Sequence, residues 1–307
     1  MFPRNVHVFP MDTNDLKGFY LKHLDRLFED AGFRNALLSY NKLFEIPLQG
    51  NDRELFGQLF SAYLDEAEFA LSILGKLDYS IDDVILEMGG GLGFAYGFLK
   101  SRGLDVYSIE PSQSGYAGYY DTALQMFRLL GIDSSHWYPF FAEECRKMNQ
   151  TFDIIFSYGV LEHVRDLRQT LLGLKSVLKP GGKMVHWTVN YLIPYEPHFK
   201  MVLFPFSPIT TRFFKPSLKD SPLWEGLNFV TARTLKRACR ACGLHVTFKR
   251  GVMLESFQRL REPGFARRQR HFLPFYFFLK RTGLINALNL IPIPFTTPLV
   301  VVLKHQG

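Results

Sequence analysis

Residues 84–93 read VILEMGGGLG, an apolar run that carries one acid, Glu87, and ends in a cluster of glycines. A short apolar run of this kind is typical of a buried strand. Glycines at 89, 91 and 93 permit a tight turn in which a ligand can approach bare backbone. The helix predicted over Phe94–Arg102 would point its free N–H groups at that ligand. The stretch therefore predicts a strand, a ligand-binding turn and a helix.

Outward from this unit, similar apolar runs alternate with helical stretches. The further strand candidates are Asp105–Ile109, Trp137–Phe141 (the weakest), Phe152–Phe156, Lys183–Val189, Leu244–Lys249 and Leu299–Lys304. The helices predicted between them are Tyr116–Leu130, Leu167–Leu178 and Thr231–Cys242. Alternation of strand and helix favours an α/β fold whose sheet is mainly parallel and has helices on both faces.

Three regions are predicted along the chain. Residues 1–80 form a helical N-terminal cover, because apolar residues recur at helical spacing after Asp52. Residues 81–250 form the α/β core, in which 190–225 carry six prolines and are expected to be a substrate loop or lid. Residues 251–307 hold a helical, aromatic and basic insertion followed by the final strand.

Composition limits the setting and the partners. The chain has 307 residues and only three cysteines, and its N-terminal forty residues do not resemble a signal peptide, so a cytoplasmic location is expected. Three prolines and two asparagines interrupt Gly283–Leu303, which argues against a membrane span. The net charge of +7 permits an anionic partner without requiring one. Neither Cys239-x-x-Cys242 nor the adjacent Glu162 and His163 has the spacing of a metal site, and no metal is expected.

The glycine turn has a specific spacing. The dinucleotide pattern G-x-G-x-x-G fails, because counting from Gly89 places Phe94 at its last position. The pattern that fits is E-x-G-x-G-x-G from Glu87, and here the chain resembles class I S-adenosylmethionine-dependent methyltransferases. The resemblance implies that the cofactor's methionine portion lies over the turn and that Glu87 helps to hold its ammonium group. The cofactor-binding residues predicted in the turn are Glu87, Gly89, Gly90, Gly91 and Gly93.

Four further residues extend the predicted cofactor site. Glu110, followed by Pro111, ends the second strand, where a carboxylate can accept hydrogen bonds from both ribose hydroxyls. Ala142 and Glu143 follow the third strand, where the resemblance implies contact with the adenine. The family often has an acid before the alanine, but this chain has Phe141 there, so Glu143 either takes that role or lies on the surface.

The fourth strand adds the most detailed similarity. Residues 152–157 read FDIIFS, residues 160–164 read VLEHV, and residues 179–182 read KPGG. These segments resemble the subgroup that includes ubiquinone-biosynthesis-type O-methyltransferases. The resemblance implies a Rossmann-like seven-stranded methyltransferase sheet with an antiparallel last strand, N-terminal helices over the cofactor, and Ser157 beside the cofactor.

Candidates for the acceptor side follow the fourth and fifth strands. His163 lies just past the fourth strand and is the first candidate for a general base, although a structural role is also open. His186 lies within a strand and is expected to be buried with its hydrogen bonds satisfied. The predicted substrate-binding residues are Tyr158, Tyr191, Tyr195 and His198, and the alternative for the last three is a polar surface loop.

These observations predict transfer of a methyl group from S-adenosylmethionine to an oxygen of a small or lipid-linked acceptor. Nitrogen and carbon acceptors stay open, and the alternative function is a non-catalytic scaffold that binds the cofactor.

No nucleic-acid partner is expected, because Ser157-Tyr158-Gly159 replaces the Asn/Asp-Pro-Pro-aromatic motif. Residues 259–281 contain seven basic residues and one acid, which favours either peripheral membrane contact or a helical cap with solvated arginines. The sequence does not predict an oligomeric state.

Overall fold

A computed structural model describes residues 14–43, 48–112, 118–204 and 207–306 of the chain. Nine strands are present in these residues. They are β1 (Val84–Met88), β2 (Asp105–Ile109), β3 (Trp137–Tyr138), β4 (Phe152–Tyr158), β5 (Leu178–Thr188), β6 (Tyr195–Glu196), β7 (Met201–Val202), β8 (Leu244–Phe248) and β9 (Leu299–His305).

Seven of these strands form one twisted sheet in the order β3-β2-β1-β4-β5-β9-β8, and β6 and β7 form a separate hairpin. Strands β1 to β5 pair in parallel, whereas β9 is antiparallel to both of its neighbours. The predicted seven-stranded Rossmann-like sheet with an antiparallel last strand is therefore confirmed. The strand order reverses at β1, between β2 and β4, which is where open α/β sheets form a ligand crevice at their carboxyl edge.

Thirteen α-helices flank the sheet or extend from it in the described residues. They are α1 (Asn14–Leu21), α2 (Leu24–Glu29), α3 (Ala31–Ser39), α4 (Asp52–Leu74), α5 (Phe94–Ser101), α6 (Tyr119–Leu130), α7 (Leu167–Val177), α8 (Pro208–Phe214), α9 (Pro222–Glu225), α10 (Ala232–Ala241), α11 (Val252–Gln258), α12 (Pro263–Arg268) and α13 (Leu273–Arg281). Short 3-10 helices cover Tyr40–Leu43, Ala142–Met148, Pro216–Asp220, Arg259–Arg261, Arg270–Phe272, Leu284–Leu290 and Ile293–Phe295. The start of the helix predicted from Tyr116 falls on residues outside the described ranges.

The N-terminal helices pack into the core. The longest, α4, starts at a capping box in which the Asn51 side chain accepts a hydrogen bond from Glu54 N and the Glu54 carboxylate accepts one from Asn51 N. Its buried face, including Phe60, shares one hydrophobic cluster with α1, α3, α5 and α6 on one side of the sheet. Helices α7 and α10 cover the other side. Full burial of a side chain such as Phe60 stabilises the fold by about 1.5–3 kcal/mol, so this cover is integral to the core.

Two long segments leave the sheet at its carboxyl edge. Residues 190–225 follow β5, and residues 251–296 join β8 to β9, which begins at the same edge because it is antiparallel. The proline-rich first segment is folded: it contains β6, β7, α8 and α9 around a small apolar cluster that includes Trp224. The second contains α11 to α13 around Leu254, Leu279 and Leu288. Across the described ranges, every helix is too short or too polar to cross a membrane.

Candidate functional site

The glycine turn after β1 combines close packing with one open position. Gly89, Gly91 and Gly93 have φ angles of +74°, +56° and +75°, which favour glycine. A Cβ atom on Gly89 would lie 2.4 Å from Val160, and one on Gly93 would lie 2.4 Å from Phe127. A Cβ on Gly91 would meet nothing within 4 Å. Packing thus excludes side chains at Gly89 and Gly93, whereas Gly91 borders space that a ligand can enter.

Glu87 lies beneath this turn. A Cβ on neighbouring Gly90 would lie 2.3 Å from Oγ of Ser108 and 2.6 Å from the Trp137 ring, so the turn rests directly on β2 and β3. The Ser108 hydroxyl donates a hydrogen bond of 3.3 Å to Oε2 of Glu87. Glu87 is only 4% exposed, and this burial raises its pKa to about 8.

Glu110 faces the same turn from the end of β2. Its Oε2 accepts a 2.8 Å hydrogen bond from the backbone N–H of Gly91. The pKa of Glu110 is raised to about 8, chiefly by burial, which outweighs the opposing hydrogen bond from the Gly91 N–H and is reinforced by the charge of Glu87. Two buried carboxyl groups with few partners therefore lie beside the open position at Gly91. This chemistry fits a ligand that carries an ammonium group and ribose hydroxyls.

The residues predicted near the adenine lie outside the glycine turn, after β2 and β3. Pro111 follows Glu110 and is half-buried, and Ala142 is buried at the start of the 3-10 helix Ala142–Met148. Oε1 of Glu143 accepts a 2.9 Å hydrogen bond from the Thr170 hydroxyl on α7. The Glu143 carboxylate is thus already engaged by protein, and its contact with adenine stays a prediction.

Ser157 lies inside the sheet. Its hydroxyl is 2.8 Å from Nδ1 of His186 on the neighbouring strand, and both side chains are fully buried. Burial lowers the pKa of His186 to about 3, so the imidazole is neutral. Among the described residues, Nε2 of His186 has no hydrogen-bond partner. The expectation of a buried histidine holds, but only one of its two ring nitrogens is satisfied.

The acceptor-side histidines meet above the ends of β4 and β5. The rings of His163 and His198 pack edge-to-face with their centroids 5.0 Å apart. Burial lowers the pKa of His163 to about 3, and the charge of His198 adds to this effect. Burial also lowers the pKa of His198, but a 2.6 Å hydrogen bond from its Nδ1 to Glu196 and the charge of that carboxylate outweigh it and raise the pKa.

Glu196 organises this group of side chains. It is fully buried, and its carboxylate accepts hydrogen bonds from the Tyr191 hydroxyl at 3.1 Å, His198 Nδ1 at 2.6 Å and the Phe199 N–H at 2.6 Å. Three donors suit a buried carboxylate. The structure thus brings Tyr191 and His198 together through Glu196, whose role the sequence did not predict.

Tyr195 points elsewhere. Its hydroxyl lies 2.6 Å from Nε2 of His271, and its ring packs on Phe272 with centroids 5.3 Å apart. Tyr195 therefore binds the 251–296 segment and is separated from the Glu196 group. The substrate contact predicted for it gains no support from this position.

Aromatic residues line the ends of β4 and β5 on the side covered by α4. Tyr158 and Trp187 are neighbours in register, with ring centroids 4.7 Å apart, and Phe69 of α4 lies 4.9 Å from Tyr158. The Arg259 guanidinium lies 4.2 Å above the Phe69 ring. Of these three aromatic residues, only Tyr158 was predicted from the sequence. The aromatic positions on the inner face of β5 and α4 could have indicated the other two, but no local signal marks Arg259.

Among the described residues, no group of three or more histidine, cysteine, aspartate or glutamate side chains is arranged to hold a metal ion.

The sheet topology and the glycine turn define a Rossmann-like methyltransferase. The sequence model of the family described as "Methyltransferase domain" matches residues 55–248. The chain belongs to this family and is an S-adenosylmethionine-dependent methyltransferase, which confirms the predicted enzyme class and cofactor.

Individual relatives give a range of similarity. An uncharacterised protein of Mycobacterium tuberculosis (strain H37Rv) is 29% identical over 222 residues, which cover 66% of this chain and 73% of the relative. A tRNA U34 carboxymethyltransferase of Idiomarina loihiensis is 28% identical over 150 residues, covering 47% of this chain and 45% of that protein. The chain thus spans less than half of the second relative.

Among solved structures, one similar protein is phosphoethanolamine N-methyltransferase 2 of Haemonchus contortus in complex with S-adenosyl-L-methionine. It is 16% identical, has a TM-score of 0.47, and is matched over 78% of this chain and 52% of its own. Another is a geranyl diphosphate methyltransferase in complex with GPP and sinefungin, at 17% identity and a TM-score of 0.46, with 83% of this chain and 82% of the other covered.

Proposed function

We propose that the chain methylates a hydroxyl oxygen of a small or lipid-linked acceptor held at the carboxyl ends of β4 and β5. The observation that carries the proposal is the Glu196–His198–His163 group, which follows the same two strands whose ends carry Tyr158 and Trp187. The similarity of residues 152–182 to ubiquinone-biosynthesis-type O-methyltransferases supports the same reaction type.

The cofactor residues are proposed on the geometry of the turn. S-adenosylmethionine supplies a methyl group already activated on a sulfonium. The open face of Gly91 would lie against the cofactor, Glu110 would accept hydrogen bonds from the ribose hydroxyls, and Glu87 would favour the cationic end. Pro111, Ala142, Glu143 and Ser157 are proposed as further cofactor contacts on the family resemblance of their positions after the second, third and fourth strands.

A hydroxyl acceptor must lose its proton to the protein. Glu196 bonds to one ring nitrogen of His198 and so orients the other, as a carboxylate does for a general-base histidine in hydrolases. Glu196 also raises the pKa of His198, so this imidazole is the more basic of the pair. His163, kept neutral by burial, would accept a hydrogen bond from the acceptor hydroxyl and share in the proton transfer.

The acceptor would pack on Phe69, Tyr158 and Trp187. Their rings form an apolar wall, which suits a flat or hydrocarbon-containing molecule. Nε1 of Trp187 is buried without a partner among the described residues, so it can donate a hydrogen bond to an acceptor oxygen. Tyr191 would act through Glu196, to which it donates a hydrogen bond.

The test is a labelling experiment on cell fractions. Purified protein and methyl-labelled S-adenosylmethionine are incubated with organic-extractable, small polar, RNA and protein fractions, and the labelled product is fragmented to find the methylated atom. We expect an O-methyl product in the organic or small polar fraction. His198→Ala should slow labelling about a hundredfold or more, whereas the exposed His245→Ala should not. Label in RNA or protein, or on nitrogen or carbon, would overturn the proposal.

A further inference from the structure

Exposed apolar side chains are concentrated at the carboxyl edge of the sheet. Fourteen large hydrophobic residues are exposed in the described ranges, and twelve of them lie in residues 192–215 and 261–295. We call these two segments together the edge surface. Its exposed apolar residues are Leu192, Val202, Phe204, Ile209, Phe213, Phe214, Phe275, Phe277, Phe278, Leu284, Leu290 and Phe295. Such a concentration marks an interaction surface in a globular protein.

Helix α8 presents its apolar face to the outside. Ile209 and Phe213, one turn apart, are 83% and 74% exposed, while Thr211 is buried against the protein. A surface helix ordinarily has the opposite arrangement, with apolar residues inward.

Helix α13 repeats this pattern. Phe275 and Phe278 are 48% and 55% exposed, whereas Tyr276 and Leu279 face inward. The buried pair already anchors the helix, so the exposed rings are not needed to hold α13 on the protein. They are available for a partner.

The two segments are joined. Tyr195, at the base of the first, lies 2.6 Å from His271 of the second and packs on Phe272. Phe272 in turn contacts Phe257 of α11. Both segments also leave the sheet at the same edge, so they adjoin each other at the carboxyl ends of the strands.

The edge surface is mainly positively charged. Its exposed basic residues are Lys200, Arg212, Lys215, Arg261, Arg267, Arg270, Lys280 and Arg281. The sequence of the two segments contains only two acids, Glu196, which is buried, and Glu262, which pairs with Arg259. Any partner must therefore be apolar in part and anionic in part.

We propose that the edge surface docks on an anionic phospholipid membrane. Lys and Arg are attracted to anionic headgroups, while Phe and Leu side chains enter the boundary with the acyl chains. A second copy of this chain would set two positive surfaces against each other. Nucleic acid would engage the cations but would leave aliphatic residues such as Ile209, Leu284 and Leu290 in water.

Docking would also give a membrane-bound acceptor a short path to the site. Glu196 and His198 belong to the first segment of the edge surface, so the proposed base lies in the same stretch of chain as exposed residues such as Val202. This path rests on the proposed function, whereas docking does not, because vesicle binding is measured without cofactor or acceptor.

The test is sedimentation of the full chain with vesicles of phosphatidylcholine alone or mixed with phosphatidylserine. We expect binding to the mixed vesicles only, weakening as salt is raised. The triple variant R267Q/R270Q/K280Q should bind about a hundredfold more weakly. The matched control R233Q/K236Q/R237Q removes three exposed cations from α10, outside the edge surface, and should bind nearly as well as the original chain.

A second variant tests the apolar part. I209S/F213S keeps every charge and removes the outward face of α8, so it should also lose most of its vesicle binding. S-adenosylmethionine affinity of each variant verifies that the fold is intact. No sedimentation with phosphatidylserine vesicles at low salt would overturn the proposal. Equal loss in the two triple variants would do so too, because binding would then depend on net charge and not on this surface.

Discussion

The backbone N–H of Gly91 donates a 2.8 Å hydrogen bond to Oε2 of Glu110, which ties the glycine turn after β1 to the carboxyl group at the end of β2. Gly91 is also the glycine of the turn that has open space where a Cβ would stand. A ligand that displaces this bond could accept a hydrogen bond from the Gly91 N–H and donate one to the Glu110 carboxylate. This relationship makes Gly91 and Glu110 the sharpest test of the cofactor site.

Gly91→Ala should weaken S-adenosylmethionine binding at least tenfold, because the methyl group occupies the space through which the ligand approaches the backbone. The positive φ of +56° adds strain of about 1 kcal/mol to the fold. Isothermal calorimetry measures the affinity. Gly131→Ala is the matched control, since Gly131 has a φ of +70° and open space but ends α6 at the opposite edge of the sheet. Equal affinities in the two variants would remove Gly91 from the cofactor site.

Cofactor binding should release protons near neutral pH. Burial raises the pKa values of Glu87 and Glu110 to about 8, so both carboxyls are largely protonated near pH 7, whereas a cationic ligand with ribose hydroxyls favours their ionised forms. Calorimetry in two buffers of different ionisation enthalpy counts the protons. We expect release of about one to two protons, and fewer in Glu110→Gln. An unchanged count in Glu110→Gln would show that this carboxyl does not respond to the cofactor.

The same carboxyls set the pH dependence of stability without cofactor. Their pKa values are raised in the folded state, so between about pH 4.5 and pH 8 the folded chain binds more protons than the unfolded chain. The free energy of unfolding should therefore fall as the pH rises through this window. Urea denaturation across the window measures it, and Glu110→Gln should flatten the slope. A slope that is the same in the variant would contradict the burial argument for Glu110.

Local patterns were sufficient for the core of this fold. The apolar run before Gly89 and the glycine spacing predicted β1, the turn and α5, because each depends on neighbouring residues. The alternation of strands and helices predicted the parallel sheet for the same reason. The antiparallel direction of β9 was predicted from the family resemblance, because no local feature of Leu299–His305 specifies the direction of this strand.

The acceptor side could not be predicted in the same way. Phe69, Tyr158 and Trp187 come from α4, β4 and β5 and meet only when the sheet is assembled. Tyr195 and Glu196 are consecutive residues of β6, and successive side chains of a strand point to opposite sides. Glu196 therefore faces His198, and Tyr195 faces the 251–296 segment. Because Tyr191, Tyr195 and His198 are close in sequence, they were predicted to line one substrate site. The alternation of side chains along β6 instead places Tyr195 apart from the group that Glu196 holds together.

Kinetics can distinguish the roles of His198 and His163. If His198 supplies the basicity, His198→Ala should lower kcat about a hundredfold or more with S-adenosylmethionine affinity nearly unchanged. His163→Ala should lower kcat by a smaller factor, because burial lowers the pKa of this imidazole to about 3. The exposed His245→Ala controls for nonspecific loss. A larger effect at His163 than at His198 would return the role of base to His163.

Glu196 is a positioning residue, and its effect should appear in the pH profile. Glu196→Gln keeps the shape of the side chain and removes the charge that raises the pKa of His198. The acidic limb of kcat/KM should therefore move to lower pH, and the maximum rate should fall. A purely structural role would lower activity at all pH values without moving the limb, and that result would contradict the assignment.

Trp187 tests the acceptor wall. Trp187→Phe keeps an aromatic ring beside Tyr158 and Phe69 but removes Nε1, the buried donor that has no partner among the described residues. Loss of a hydrogen bond to the acceptor should raise the acceptor's KM about tenfold, while the affinity for S-adenosylmethionine stays the same. Trp224→Phe is the matched control, because Trp224 is a buried indole of the neighbouring apolar cluster of residues 189–227 and is not one of the three wall residues. It should lose stability through a smaller core side chain and leave the KM unchanged. If both variants keep the original KM, Nε1 of Trp187 does not donate a hydrogen bond to the acceptor, and this part of the proposal is wrong.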